Sequence, residues 1–177
     1  MIVGTMEYKY ENIEPVEPEV QDYTEEIETM NKELEELQYD ESIPLEYDLQ
    51  IHFKSECERY EVDVKEAVAI MLTENPTLNA ELVHKNENGT KDTGLLQINS
   101  CHKKEFENMG FDNLKDPKQN ISYGIYFLST LDKYKGHEKY IAYNCGEGGM
   151  KEMASRGITS TEYSRNVMAK LRGSKGK

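Results

Sequence analysis

Asp63-Val64-Lys65-Glu66-Ala67-Val68-Ala69-Ile70-Met71-Leu72-Thr73-Glu74-Asn75 holds the most apolar stretch of the chain. Asp63 followed by Glu66 has the spacing of a capping box, which predicts a helix start. Val64, Ala67, Val68, Ile70, Met71 and Leu72 are too apolar together for a half-exposed surface. The expected element is therefore a buried central helix. Asn75-Pro76 ends it, because the residue before a proline is pushed out of helical geometry.

Working outward, the pattern stays mostly helical. Upstream, Leu49, Phe53, Cys57 and Tyr60 mark one face of a first helix. Downstream, residues 79–94 are polar, and Asn88-Gly89 is a tight hairpin-turn signal. Asp116-Pro117 reads as an N-cap with proline at the first helical position. It predicts a long helix through Ile121, Ile125, Phe127, Leu128 and Leu131, closed by Gly136. Tyr140-Ile141-Ala142-Tyr143 starts another apolar helix that ends at Gly146. A last helix runs from about Thr159 with Tyr163, Val167 and Leu171 on it. The expected fold class is mainly α, interrupted once by a small β-hairpin. Asn88 and Asn120 match the glycosylation motif by chance.

Charge divides the 177 residues unevenly. Residues 1–45 hold 14 Asp and Glu and two lysines, a net of -12. Residues 46–177 hold 20 acids and 19 bases, a net of -1, and are long enough to bury a core. The overall charge of -13 argues against nucleic acid and anionic lipid as partners. No apolar run approaches the roughly 20 residues of a membrane span. Within the acidic segment, Glu11–Glu19 contains Pro15 and Pro18 and reads as extended and disordered. Tyr23, Ile27, Met30, Leu34 and Leu37 then form two heptads of an a/d stripe among glutamates. A solvated helical linker is one reading of residues 23–37; a short self-association or docking helix is the other. Ser42-Ile43-Pro44 ends it.

Few residues offer chemistry. Glu74 sits at the end of the helix expected to be most buried. A carboxyl held against apolar surface keeps its proton near neutral pH and can donate it. The alternative is an acid at a helix C-terminus facing solvent. Asp92-Thr93-Gly94-Leu95-Leu96-Gln97-Ile98-Asn99 places Gln97 and Asn99 where amides could bind sugar hydroxyls and N-acetyl groups, or simply satisfy a buried turn. Tyr143-Asn144-Cys145-Gly146 ends a helix in glycines, which permit close backbone approach or plain capping. His52, His84, His102 and His137 show no metal-ligand spacing, so neither metal nor cofactor is expected. Adjacent Cys101 and His102 point apart too readily for a nucleophile pair.

Together these segments resemble the lytic transglycosylase family, the soluble-type (SLT domain) enzymes of the lysozyme superfamily that cleave bacterial peptidoglycan. That family's pattern is a buried helix ending in Glu-Ser, then Gly-Leu-Met-Gln, then Ala-Tyr-Asn-x-Gly. Here these stand as Glu74-Asn75, Gly94-Leu95-Leu96-Gln97 and Ala142-Tyr143-Asn144-Cys145-Gly146. Asp116-Pro117 with Asn120-Ile121, Gly124 and Leu128 resembles the intervening helix, and Tyr163 with Val167 the last one. The similarity covers roughly residues 46–172. Asn75 replaces serine; an amide there could still hydrogen-bond Glu74. Leu96 replaces methionine and conserves volume. Glu147 stands where many members carry proline.

The resemblance implies a lysozyme-like α+β fold for 46–172, with 1–45 as an acidic linker or tether and 173–177 as a flexible basic tail. It implies Glu74 as the single catalytic acid, acting on the bond between N-acetylmuramic acid and N-acetylglucosamine. The substrate's own 6-hydroxyl would be the nucleophile, giving 1,6-anhydro ends. Gln97, Asn99, Tyr143, Asn144 and Tyr163 would hold the sugar and the glutamate, supported by Asn75, Gly94 and Leu96. Asn120 and Gly124 would be structural. The alternatives are a goose-type muramidase, which needs Glu87 or Asp92 as a second carboxylate, and a catalytically idle peptidoglycan-binding subunit. The implied partner is the glycan strand, and the implied place is the cell envelope or the extracellular space. Met1–Thr5 does not read as a secretory leader. A leader removed from a secreted bacterial chain, a secretion apparatus or a phage particle would each account for export. In an oxidising space Cys57 and Cys101 could pair.

Overall fold

The computed structural model describes residues 23–173. The expected extended segment at Glu11–Glu19 and residues 174–177 of the tail lie outside the described residues. Two compact units divide at Gln38. In the first, α1 (Thr24–Gln38) is a helix whose Ile27, Met30 and Leu34 are exposed.

The second unit begins at Tyr39, earlier than the boundary after residue 45 expected from charge. A buried amide is the reason. Gln50 is fully buried in α2 (Tyr47–Arg59). Its Nε2 donates to the carbonyls of Ile43 (2.7 Å) and Leu45 (3.0 Å), and its Oε1 accepts from the Asp40 N–H (2.9 Å). Ile43 and Leu45 enter the core with it.

The central helix is α3 (Val64–Glu74), and Ala67, Ile70 and Met71 on it are fully buried. Each such side chain taken from water contributes about 1.5–3 kcal/mol for the larger residues. The start is half of the expected capping box. Asp63 accepts from the Lys65 N–H at 2.7 Å, but Glu66 does not reach back. Glu66 instead accepts from Lys139 Nζ (2.7 Å) and Tyr140 OH (3.0 Å), and the same ammonium reaches Asp132 at 2.6 Å. Lys139 is almost wholly buried, so these acids are what make its charge tolerable there.

Beyond α3 lies a three-stranded antiparallel sheet in the order β1 (Val83–Lys85), β2 (Lys91–Thr93), β3 (Ile98–Asn99). The expected hairpin is its first two strands. Its turn spans residues 86–90 rather than Asn88-Gly89 alone, with the Asn86 N–H donating to Thr90 O at 2.9 Å. After a 3-10 turn (Ser100–His102) come α4 (Lys103–Asn108) and α5 (Pro117–Thr130). Asp116 caps α5 by accepting from the Gln119 N–H at 2.8 Å. This helix ends at Thr130, so Gly136 does not close it. Gly136, with φ 58°, is the N-cap of α6 (His137–Ser155). Nor does α6 end at Gly146: that residue breaks the helix (φ 75°, ψ 163°), which then resumes. The last helix, α7 (Glu162–Gly173), packs on α3 and α6, while α2 packs on α5. The fold is thus mainly helical with one small sheet, as the sequence leads one to expect.

Candidate active site

A cleft of about 910 Å³ runs between the sheet and the α6 break, with Glu74 in its lining. Glu74 is the last residue of α3, and the apolar face that buries α3 carries its carboxyl into a half-buried position. Tyr163 on α7 donates its hydroxyl to Glu74 Oε1 at 2.6 Å. Burial pushes the carboxyl up to about 7; the Tyr163 hydrogen bond opposes the rise and the negative charge of Asp92 adds to it. A group with that value holds a proton near neutrality and can also give it up. With Oε1 taken by the tyrosine, Oε2 has no hydrogen-bond partner among the described residues.

The segment opposite Glu74 is built by a buried amide and two glycines. Asn120 on α5 is fully buried. Its Oδ1 accepts from the Leu96 N–H (2.9 Å), and its Nδ2 donates to the carbonyls of Thr93 (2.9 Å) and Leu114 (2.8 Å). That burial also rules out a glycan on Asn120. Gly94 has φ 86°, and a Cβ there would run into the Asn120 amide and lie 2.8 Å from Leu114 O. At Gly124 a Cβ would lie 2.8 Å from Leu96 Cβ, so the glycine makes the notch for that leucine. The turn it forms carries Gln97 at φ 44°, a left-handed position rarely occupied by a side-chain-bearing residue.

Gln97, Asn99, Tyr143, Asn144 and Leu96 line the cleft with Glu74. Gln97 Nε2 donates to Gly94 O at 2.7 Å, which leaves its carbonyl oxygen for a ligand. Tyr143 is buried, and its hydroxyl donates to Leu96 O at 3.1 Å. Asn144 is exposed, with no side-chain hydrogen bond to the described residues. Tyr163 stands behind Glu74. Two expected side chains are otherwise engaged. Asn75 does not touch Glu74: its Nδ2 donates to Asn79 O (2.8 Å) and Gly94 O (3.1 Å), tying α3 to the turn. Asn99 spends its amide on Thr90 (3.0 Å) and Asp92 (2.6 Å), and its oxygen on the Cys101 N–H (2.9 Å).

Asp92 also lines the cleft, held by Asn99 and by Asn86 Nδ2 at 2.8 Å. Glu147 stands at the rim, where Lys133 Nζ (2.8 Å) and Tyr134 OH (2.6 Å) hold its carboxyl below the usual range. It is therefore an ionised acceptor and no proton donor. The three cysteines are free rather than paired. Cys57 is buried, its thiol pushed up to about 12, whereas Cys101 and Cys145 line the cleft. Among the described residues no group of three or more His, Cys, Asp or Glu could hold a metal ion. His102 and Phe127 in the lining were missed as site residues. Phe127 read as part of a core stripe, and His102 had no spacing signal.

Known proteins resemble this chain in sequence or in fold. Protein IpgF of Shigella flexneri is 31% identical over 100 residues, covering 54% of this chain and 65% of that protein. Invasion protein IagB of Salmonella typhimurium is 39% identical over 66 residues, or 34% of this chain and 41% of that one. The chain thus matches less than two thirds of the length of these curated relatives. Among solved structures, the 70 kDa soluble lytic transglycosylase of Escherichia coli aligns with a TM-score of 0.57 and 23% identity, over 76% of this chain and 25% of that one. An inactive mutant of the lytic transglycosylase Slt of Pseudomonas aeruginosa aligns at 0.53 and 20%, over 69% and 23%. At these identities the two structures show the shared fold. Residues 52–164, well over half of the chain, match the family model of the transglycosylase SLT domain, and the chain belongs to that family.

Proposed function

We propose that the domain is a peptidoglycan lytic transglycosylase, cleaving the β-1,4 bond between N-acetylmuramic acid and N-acetylglucosamine. The observation that carries this reading is Glu74: a half-buried carboxyl in the cleft, near 7, with one oxygen held by Tyr163. Its Oε2 proton passes to the glycosidic oxygen as the C1–O bond breaks. The muramic acid 6-hydroxyl then attacks its own anomeric carbon, and the carboxylate of Glu74 takes that hydroxyl's proton. The 1,6-anhydro ring closes and Glu74 ends protonated, as it began. Gln97 and Asn144 offer amides to the sugar. Tyr143 and Tyr163 hold the turn and the acid.

Asp92 supports a second reading. A carboxylate held by two amides in the same cleft is what a hydrolytic muramidase needs to activate water or stabilise the sugar cation. Mass spectrometry of purified cell walls after digestion separates the two: anhydro-ended muropeptides support the transglycosylase, reducing ends the muramidase. Undiminished lysis by Glu74→Gln would remove Glu74 from both mechanisms, and absence of lysis by wild type would leave a binding role. A peptidoglycan substrate supports a place of action in the cell envelope or the extracellular space. No described helix is long and apolar enough to cross a membrane. The acidic N-terminal segment is read as a tether.

A further inference from the structure

His102 is a titratable side chain of the cleft that the reaction above does not use. It is not loosely placed. Its ring lies 4.6 Å from that of Phe127 and 5.9 Å from that of Tyr123. Its Nδ1 is 3.7 Å from Glu105 Oε2. Glu105 is itself fixed, accepting from Tyr123 OH (2.6 Å) and Tyr126 OH (3.2 Å). Phe127 in turn stacks parallel to Tyr123, at 6°, and leans on Tyr143 at 5.4 Å. The ring contacts and the ion pair of His102 are therefore on the α4–α5 side, and its Nε2 has no hydrogen-bond partner among the described residues. Phe106 and Tyr123 are buried in the core, whereas the imidazole is only half-buried.

We propose that the His102 ring, backed by Phe127, is a sugar-binding platform. The class of ligand is the pyranose ring of an N-acetylhexosamine in the glycan strand. A pyranose presents C–H groups on its faces and hydroxyls around its edge. This cleft has the matching division: Leu96, Phe127 and the His102 ring give apolar surface, while Gln97 and Asn144 give amides. A ring already flanked by Glu105 and two aromatic neighbours loses little freedom when a sugar settles on it. Glu105 acts through His102 and is a positioning residue.

This inference rests on the glycan-cleaving reading, and the test keeps the two apart. Initial rates on purified glycan strands are measured for wild type, His102→Ala and His102→Phe. Removal of the ring should raise KM about 3- to 10-fold, the scale of one lost aromatic contact, with kcat within about twofold. Phenylalanine keeps the ring without the nitrogens and should hold KM within about twofold of wild type. An unchanged KM in His102→Ala overturns the platform, and so does a His102→Phe as weak as the alanine variant. Should the alanine variant not fold, His102→Gln serves as the ring-less form. Absence of cleavage by wild type sinks the glycan-cleaving reading instead. Cleavage with KM unmoved sinks the platform alone.

Discussion

Replacing Glu74 by glutamine should stabilise the fold in a pH-dependent way. The carboxyl is lifted from its ordinary 4.5 to about 7 by burial. Each pH unit of that gap corresponds to about 1.4 kcal/mol, so ionising Glu74 in the folded protein costs about 3 kcal/mol. The sign follows from linkage. The folded-state value lies above the unfolded one, so its contribution to stability is complete below 4.5 and is lost as pH rises through about 7. Glutamine has a similar shape and no charge to lose. Wild type and Glu74→Gln would be unfolded in urea at about pH 4 and about pH 9, where the penalty for ionising Glu74 is respectively absent and complete. The stability difference should grow in favour of the variant by about 3 kcal/mol between them, less whatever solvent reaches the half-buried group. Other acids titrate alike in both proteins and cancel. A difference that stays constant with pH would refute the claim that apolar burial holds the proton on Glu74.

Three further outcomes follow from the same geometry. Tyr163→Phe removes the hydrogen bond that opposes the upward shift, so the alkaline limb of the kcat/KM profile should move up by about one pH unit. A limb unmoved or moved down would show that the tyrosine does not tune the acid. Asn120→Ala takes the side-chain partner from the buried Leu96 N–H and Thr93 carbonyl and from the half-buried Leu114 carbonyl, and should lower unfolding stability by roughly 3 to 5 kcal/mol in urea melts. Gly124→Ala drives a methyl into Leu96 and should cost about 1–3 kcal/mol, with lost activity tracking the displaced turn.

Much of this was legible because it is local. The apolar run from Ala67 to Leu72, the Asp116 cap and the acid at the end of α3 depend on neighbours a few residues away. What escaped depends on distant partners. Glu66 looks like a capping residue until Lys139, far along the chain, takes its carboxylate. Asn75 looks like a partner for Glu74, and Asn99 like a ligand for a sugar, until their amides meet backbone and Asp92. Gly136 is as good at starting a helix as at ending one, and its sequence position does not distinguish them. Nothing in the spacing of His102 and Phe127 shows that their rings meet, since that requires α4 and α5 to fold against each other.

The buried amide of Gln50 also fixes where the chain can be cut. Charge suggests trimming the acidic region at residue 45. That cut would strip away the carbonyls of Asp40 and Ile43, the Asp40 N–H and the Ile43 side chain, leaving an amide stranded in the core. A cut after Gln38 removes most of the same charge and leaves the belt around α2 closed.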